Sequence, residues 1–133
     1  MQTGQLALTL LLTSTLLGAC GDDDPPPPGS EATLRGVGAA CTSDDQCQEE
    51  GQRCLNFKGG YCGVADCQSD LDCPQGSACV TFEGANYCFL LCTDKPQCNV
   101  HRPVADEANC VGSITFVEAN AHQSHKACEP PSG

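Results

Sequence analysis

The sequence predicts a small disulfide-rich protein with three tandem four-cysteine units, short β-hairpins and little helix. Three observations lead there. The chain has 13 cysteines among 133 residues, and cysteine above about 8–10% in a short chain indicates a disulfide scaffold. It has no Trp, four Phe and two Tyr, so its apolar core is small and needs disulfides or metal to hold it. Its cysteines also recur in groups of four, which indicates an internal repeat.

Residues 1–19 are predicted to be a signal peptide. Leu6 to Leu17 read "LALTLLLTSTLL", a mostly apolar run without charge. Such a run is too short to span a bilayer but suits the apolar region of a signal peptide. The preceding "MQTGQ" has no Lys or Arg, so the natural start is expected upstream.

The apolar run ends in Leu17-Gly18-Ala19-Cys20, which resembles the lipobox of bacterial lipoproteins. The resemblance implies that Cys20 is lipidated, becomes the first residue after cleavage and makes the membrane a partner through its acyl chains. The alternative is an ordinary signal peptide cut near Ala19, with Cys20 a structural thiol. Without Cys20 an even number of cysteines remains, and these can pair completely. Gly21, in place of the aspartate that retains some lipoproteins at the inner membrane, favours the outer membrane.

Residues 20–40 are predicted to be a disordered tether. They begin "CGDDDPPPPGS", and segments rich in Asp, Pro and Gly bury too little apolar surface to fold. Four consecutive prolines favour an extended, semi-rigid spacer. Residues 41–133 are then the cysteine-rich domain. The net charge of −11 argues against nucleic acid as a partner, because that affinity comes from Lys and Arg.

The twelve cysteines of this domain form three groups of four. We call them the first, second and third cysteine groups, and they span 41–62, 67–88 and 92–128. "CTSDDQC" in the first group matches "CQSDLDC" in the second, and "CLNFKGGYC" matches "CVTFEGANYC". The third group opens more loosely and runs longer. Their members are Cys41, Cys47, Cys54 and Cys62; Cys67, Cys73, Cys79 and Cys88; and Cys92, Cys98, Cys110 and Cys128.

The segment between the third and fourth cysteines of a group predicts a β-hairpin, because strand-forming residues flank a Gly-containing turn. Pairing Phe82 with Tyr87 across "EGAN" places cysteines on one face and aromatic residues on the other. The aromatic face is either an exposed interaction face or the packing between neighbouring hairpins. This candidate interaction face comprises Leu55, Phe57, Tyr61, Val80, Phe82, Tyr87 and Phe89.

Disulfides are the preferred interpretation of the cysteines, because they persist in the oxidising environment that a signal peptide implies. Zinc sites usually show cysteines two to four residues apart, whereas most gaps here are longer. No C-x-x-C redox motif is present. Four cysteines permit three pairings, among which the sequence alone does not choose. No cofactor is predicted.

The stretch "CQSDLDCPQGSAC" resembles part of the whey acidic protein core and of the N-terminal cysteine-rich region of Dickkopf proteins. The resemblance covers some thirteen residues of each group. In the whey acidic type the first such cysteine pairs with the third, and the second pairs with a later one. Carried over, it implies the pairs Cys41–Cys54, Cys47–Cys62, Cys67–Cys79, Cys73–Cys88, Cys92–Cys110 and Cys98–Cys128.

Two sets of polar residues are further candidates for a site. Asp44, Asp45, Asp70 and Asp72 suggest either calcium ligands or turn-forming residues that bond their own backbone; the turn is preferred because no EF-hand pattern follows. Glu118, His122 and His125 stand four and three residues apart, on one face of a predicted helix. Such a trio suits an open zinc site, but a solvated helix face is preferred.

The predicted function is a lipid-anchored, non-enzymatic, extracytoplasmic binding or structural module that recognises an unidentified protein or glycan. No catalytic residue is predicted. A protease-inhibitor-like module is the alternative, since a disulfide-braced loop is preorganised for a protease cleft. A metal-dependent hydrolase using Glu118, His122 and His125 is the weaker alternative.

Overall fold

The computed structural model describes residues 36–48 and 50–133. The predicted signal peptide, Cys20 and most of the predicted tether therefore lie outside the described residues. The described chain forms seven short strands, one α-helical turn and four 3₁₀ turns. The strands are β1 (Arg53–Leu55), β2 (Tyr61–Gly63), β3 (Ser77–Phe82), β4 (Ala85–Cys92), β5 (Asn109–Val111), β6 (Thr115–Phe116) and β7 (Lys126–Glu129); the helical turn α1 is Lys95–Cys98.

Six disulfides take all twelve cysteines of the described residues. The first cysteine of each group is bonded to the third, and the second to the fourth. These are the six pairs that the whey acidic resemblance implies. Together with the short antiparallel hairpins and the little helix, they confirm the predicted fold class of a small disulfide-rich protein.

The third and fourth cysteines of every group face each other across an antiparallel strand pair. Cys54 is opposite Cys62, Cys79 opposite Cys88 and Cys110 opposite Cys128. They do not bond to each other; each is bonded to one of the first two cysteines of its own group. Each strand pair thus holds the chain that precedes it at two adjacent points.

The β3–β4 hairpin corrects the predicted register. Phe82 pairs with Ala85, and Tyr87 with Val80, so the turn contains Glu83 and Gly84 alone. Both have positive φ, 49° and 84°, which is the signature of a type I′ turn. The predicted pairing of Phe82 with Tyr87 was therefore wrong by two residues. A shift of two preserves which face each side chain occupies, so the division into a cysteine face and an aromatic face holds.

The sheets do not confirm three separate tandem units. β1 and β2 form a two-stranded sheet, whereas the other strands form one five-stranded antiparallel sheet in the order β5-β7-β4-β3-β6. The second and third cysteine groups share this sheet, because β7 pairs with β4 and β6 pairs with β3. The chain between the first and second groups also lies along β4, where Ala65 bridges Tyr87.

The predicted interaction face is largely interior. Leu55, Tyr61, Val80 and Phe89 are buried, while Phe57, Phe82 and Tyr87 are half-buried against the same core. Phe57 from the first hairpin makes edge-on ring contacts with Phe82, Tyr87 and Phe89 at 5.2–6.0 Å. The aromatic residues therefore pack the first hairpin against the second, which is the other interpretation that the sequence left open.

The five described residues before the predicted domain boundary at Cys41 pack with the domain. Val37 is fully buried in the core. The Gly38 N–H donates to the Cys62 carbonyl, and the Cys62 N–H donates to the Ala39 carbonyl. Residues 36–40 are thus part of the domain rather than of the tether. Across the described residues, no helix has the length and apolarity needed to cross a bilayer.

Candidate functional site

The aspartates and glutamines between the first two cysteines of each group hold the loop in its turn. In each group, the residue five positions after the first cysteine has a side-chain oxygen that accepts a backbone N–H. The donor is the residue that directly follows the first cysteine. The acceptors are Gln46, Asp72 and Gln97, and the donors are Thr42, Gln68 and Thr93, at 2.6–2.8 Å. For Asp72 this agrees with the turn-forming interpretation, in which the carboxylate bonds the backbone of its own loop.

A second acceptor joins the loop to the hairpin in two of the groups. Asp44 accepts the Cys54 N–H at 2.8 Å, and Asp70 accepts the Cys79 N–H at 2.9 Å. In the third group Lys95 occupies this position and forms an ion pair with Glu107 instead. The weaker sequence match at the start of the third group thus corresponds to a different contact at this position. Asp45 is exposed and takes no part in these contacts.

Asp70 has a further partner that sequence reasoning missed. Its Oδ2 lies 2.6 Å from Nε2 of His122, and the Nδ1 of His122 lies 2.8 Å from the Nδ1 of His125. The Asp70 N–H donates to the carboxylate of Glu118 at 2.6 Å. Four polar side chains from two cysteine groups therefore meet at one place. We call Asp70, His122 and His125 the histidine cluster.

The predicted helix through the histidines does not form. The chain makes a 3₁₀ turn over Ala119–Ala121, and residues after it form a further turn closed by the bond from His125 N–H to the His122 carbonyl at 3.1 Å. The predicted trio was therefore wrong as a helix face. The two histidines still come together, but Glu118 binds the Asp70 backbone instead of joining them.

His122 is held in place on its ring face as well as at both nitrogens. The Phe116 ring from β6 stacks on it, with centroids 4.6 Å apart and planes 27° apart. Its side chain is only 9% exposed, whereas His125 is exposed. The long insertion of the third group provides β6 and the histidine turn, and it places both against the second group.

A groove of about 610 Å³ opens between the first cysteine group and the third. The first group contributes the loop after Cys41 and the hairpin from Cys54 to Gly60. Pro103 and Asp106 form the opposite wall, and Phe57 is its aromatic lining residue. Gly59 brings the hairpin close to that wall, because a β-carbon there would lie 2.5 Å from Asp106. Gly60 brings it close to the loop of its own group, because a β-carbon there would lie 2.0 Å from the Cys41 carbonyl oxygen.

Arg102 is buried beneath this contact, and no sequence signal pointed to it. Its guanidinium donates to the backbone carbonyls of Gly38, Lys58, Gly60 and Asp106 at 2.7–3.1 Å. Its Cζ lies 5.8 Å from the centre of the Tyr61 ring. Burial lowers the pKa of Arg102 from its ordinary value, and Tyr61 and Asp106 partly oppose that change. Four carbonyl dipoles stabilise the buried cation.

Large apolar side chains are exposed at loop tips instead of on the aromatic face. Leu71, at the centre of the Asp70–Asp72 turn, is 96% exposed, and Val104 is 86% exposed. Val100 is exposed on the same loop as Val104.

The cysteine sulfurs are clustered but are not metal ligands. In each group, three sulfurs lie within 4.8 Å of one another, because two disulfides adjoin at the hairpin. Zinc binds thiolates, and all of these sulfurs are in disulfides. Six disulfides in so short a chain are typical of an oxidising, extracytoplasmic environment.

Comparisons of the chain with models of protein families, with curated proteins and with solved structures found no match.

Proposed function

We propose that the chain is a lipid-anchored, non-enzymatic, extracytoplasmic cysteine-rich module that binds a protein or glycan through its loop tips. One observation carries the proposal. The described residues use all twelve of their cysteines in disulfides. Cys20 therefore has no cysteine left to pair with in this chain, and it follows the lipobox-like Leu17-Gly18-Ala19.

The folded residues support a role in binding through the surface. Disulfides and aromatic side chains fill the core of the described residues, and the groove between the first and third cysteine groups is open to solvent. Leu71 and Val104 are solvated apolar side chains on short 3₁₀ turns. Burying such side chains against a partner favours binding, and a loop already held in its bound conformation loses less conformational entropy.

The anchor is tested by intact mass and detergent partitioning of the full chain expressed in a bacterium. We expect the wild type to partition with detergent and to carry acyl mass on Cys20. Cys20→Ala should move to the aqueous phase, whereas the control Ser14→Ala should stay with detergent. A wild-type product cut near Ala19 with an unmodified Cys20 would contradict the anchor.

The binding surface is tested by cross-linking in the cell envelope and by glycan arrays. The double variant Leu71→Asp/Val104→Asp should lose the wild-type partner by at least tenfold. Ser113→Asp adds a charge at another exposed position and should retain it. Equal capture by all three proteins would exclude the loop tips as the contact.

A protease-inhibitor-like module is the second candidate, and the exposure of Leu71 favours it. The loop carrying Leu71 lies between Cys67 and Cys73, and both cysteines are bonded to the β3–β4 hairpin. If this loop enters a protease cleft, Leu71 sets the specificity. The wild type should then inhibit proteases that cleave after large apolar residues, and Leu71→Arg should redirect inhibition to trypsin-like enzymes. No inhibition at micromolar concentration by either protein removes this candidate.

A further inference from the structure

We propose that the histidine cluster is a Cu²⁺ site, in which His122 Nδ1 and His125 Nδ1 are the ligands and Asp70 positions His122. The proposal does not rest on the proposed function.

The bonds to Asp70 determine which nitrogen of His122 is free. Asp70 is oriented by two contacts, since its Oδ1 accepts the Cys79 N–H and its own N–H donates to Glu118. Its Oδ2 then faces Nε2 of His122 at 2.6 Å. A carboxylate only accepts hydrogen bonds, so Nε2 carries the proton of the neutral imidazole and Nδ1 presents its lone pair.

That lone pair points at a second imidazole nitrogen. The Nδ1 atoms of His122 and His125 lie 2.8 Å apart, and two lone pairs at this distance need a proton or a cation between them. In the metal-free chain the Nδ1–H of His125 supplies the proton. A metal ion that binds both nitrogens displaces it, and the neutral ring of His125 then carries its proton on Nε2 instead.

The separation of the two nitrogens lets both rings reach one ion after a small adjustment, because 2.8 Å is the length of their hydrogen bond in the metal-free chain. Ligands about 2.0 Å from an ion lie about 2.8 Å apart when their bonds meet at a right angle, and about 3.3 Å apart in a tetrahedral site. Imidazole nitrogens bind Zn²⁺, Ni²⁺ and Cu²⁺, and Cu²⁺ binds most strongly. The exposure of His125 leaves the remaining positions to solvent.

Asp70 and Phe116 give the site the support that metal-binding histidines usually have. A ligating imidazole commonly donates its other N–H to a carboxylate, which fixes the tautomer and the ring orientation. Phe116 adds a stacking contact on the ring face. This support distinguishes the pair from two histidines that are merely adjacent on a surface.

The ligands are tested by titrating Cu²⁺ into the full oxidised chain, with binding followed by calorimetry and electron paramagnetic resonance. Every protein carries Cys20→Ser, so that no free thiol competes. We expect one site with nitrogen hyperfine coupling, weakened at least tenfold by His125→Ala and by His122→Ala. The remaining histidine, His101, is exposed and provides the matched control: His101→Ala should bind within twofold of the parent. Equal affinity in His125→Ala and His101→Ala overturns the proposal.

The positioning role of Asp70 is tested without metal by ¹H–¹⁵N spectra of the histidine rings. We expect the parent to show His122 protonated at Nε2 and bare at Nδ1. In Asp70→Asn, the side-chain oxygen keeps the Cys79 N–H and the amide nitrogen faces His122, which reverses the tautomer. Copper affinity should fall about 10–100-fold. A parent His122 protonated at Nδ1, or an Asp70→Asn variant that changes neither tautomer nor affinity, overturns the proposal.

Discussion

Arg102 connects the first and third cysteine groups through hydrogen bonds to backbone carbonyls alone. Lys58 and Gly60 of the first group provide two of the acceptors, and Gly38, just before that group, provides a third. The planar guanidinium reaches all of them at once, because its donors form a rigid fork. Tyr61 completes this contact. Its hydroxyl donates to the Cys128 carbonyl and accepts the Leu90 N–H, and burial raises its pKa far above the ordinary value.

Replacing Arg102 by lysine is expected to destabilise the domain by about 1–3 kcal/mol, because an ammonium cannot keep all four charge-assisted bonds. Thermal or denaturant unfolding under non-reducing conditions measures the change. Arg53 is exposed on β1, so Arg53→Lys should stay within about 0.5 kcal/mol of the parent. Equal stability of the two variants would show that the buried carbonyls do not need the guanidinium.

Asp72 gives the second loop a dependence on pH. The backbone N–H groups of Gln68 and Ser69 donate to its carboxylate and lower its pKa below the ordinary 3.8. A lowered pKa in the folded state means that the carboxylate's contribution is present above pH 3.8. It is lost as the pH falls through the lower folded value.

The amide proton shifts of Gln68 and Ser69 should therefore titrate together, with a midpoint below pH 3.8. NMR spectra recorded across the acid range measure this midpoint. In Asp72→Asn the same two shifts should lose the transition, since the amide does not ionise there. A midpoint above 3.8 would contradict the proposed hydrogen bonds.

At the scale of elements, the β3–β4 turn shows a local conflict between sequence and backbone. Glu83 adopts φ 49°, a region that glutamate enters at some cost and that Asn and Gly tolerate. Gly84 has φ 84°, and a β-carbon there would meet no atom within 4 Å. Any cost of substitution at Gly84 therefore comes from the backbone and not from packing.

Glu83→Asn is expected to stabilise the domain by about 0.5–1 kcal/mol, because Asn-Gly is the preferred type I′ pair. Gly84→Ala should destabilise it by about 1 kcal/mol. Thermal unfolding of both variants, compared with the parent, checks the two signs. A destabilising Glu83→Asn would argue against a type I′ turn.

The strands and turns also show which features can be predicted from the sequence and which cannot. Alternation predicted which side chains of the hairpin share a face, but it did not predict the register, since a two-residue shift leaves the alternation intact. The spacing of His122 and His125 predicted that the two could act together. It gave no indication of Asp70, which lies 52 residues from His122 in sequence. Arg102 has no local pattern at all. Contacts made across the fold leave no periodic signal in a single sequence.

At the scale of the whole molecule, the disulfides differ in the length of chain that they close. Cys98–Cys128 closes 30 residues and Cys67–Cys79 closes 12. Because a longer loop loses more freedom in the unfolded state, the first bond should contribute about 0.8 kcal/mol more. Unfolding of the variants Cys98→Ala/Cys128→Ala and Cys67→Ala/Cys79→Ala measures the difference. A larger loss from opening the short loop would mean that native packing outweighs chain entropy.

The bonds from Arg102 to the first group also restrict how such a chain can change length by gene duplication. An open row of repeats grows or shrinks at either end, because each copy contacts only its neighbours. Here the third cysteine group returns to the first, since Arg102 donates to the Gly38 and Gly60 carbonyls and the Tyr61 hydroxyl donates to the Cys128 carbonyl. A further group inserted between them would separate these donors from their acceptors. We therefore expect variation in such a chain to arise by altering loops rather than by adding groups.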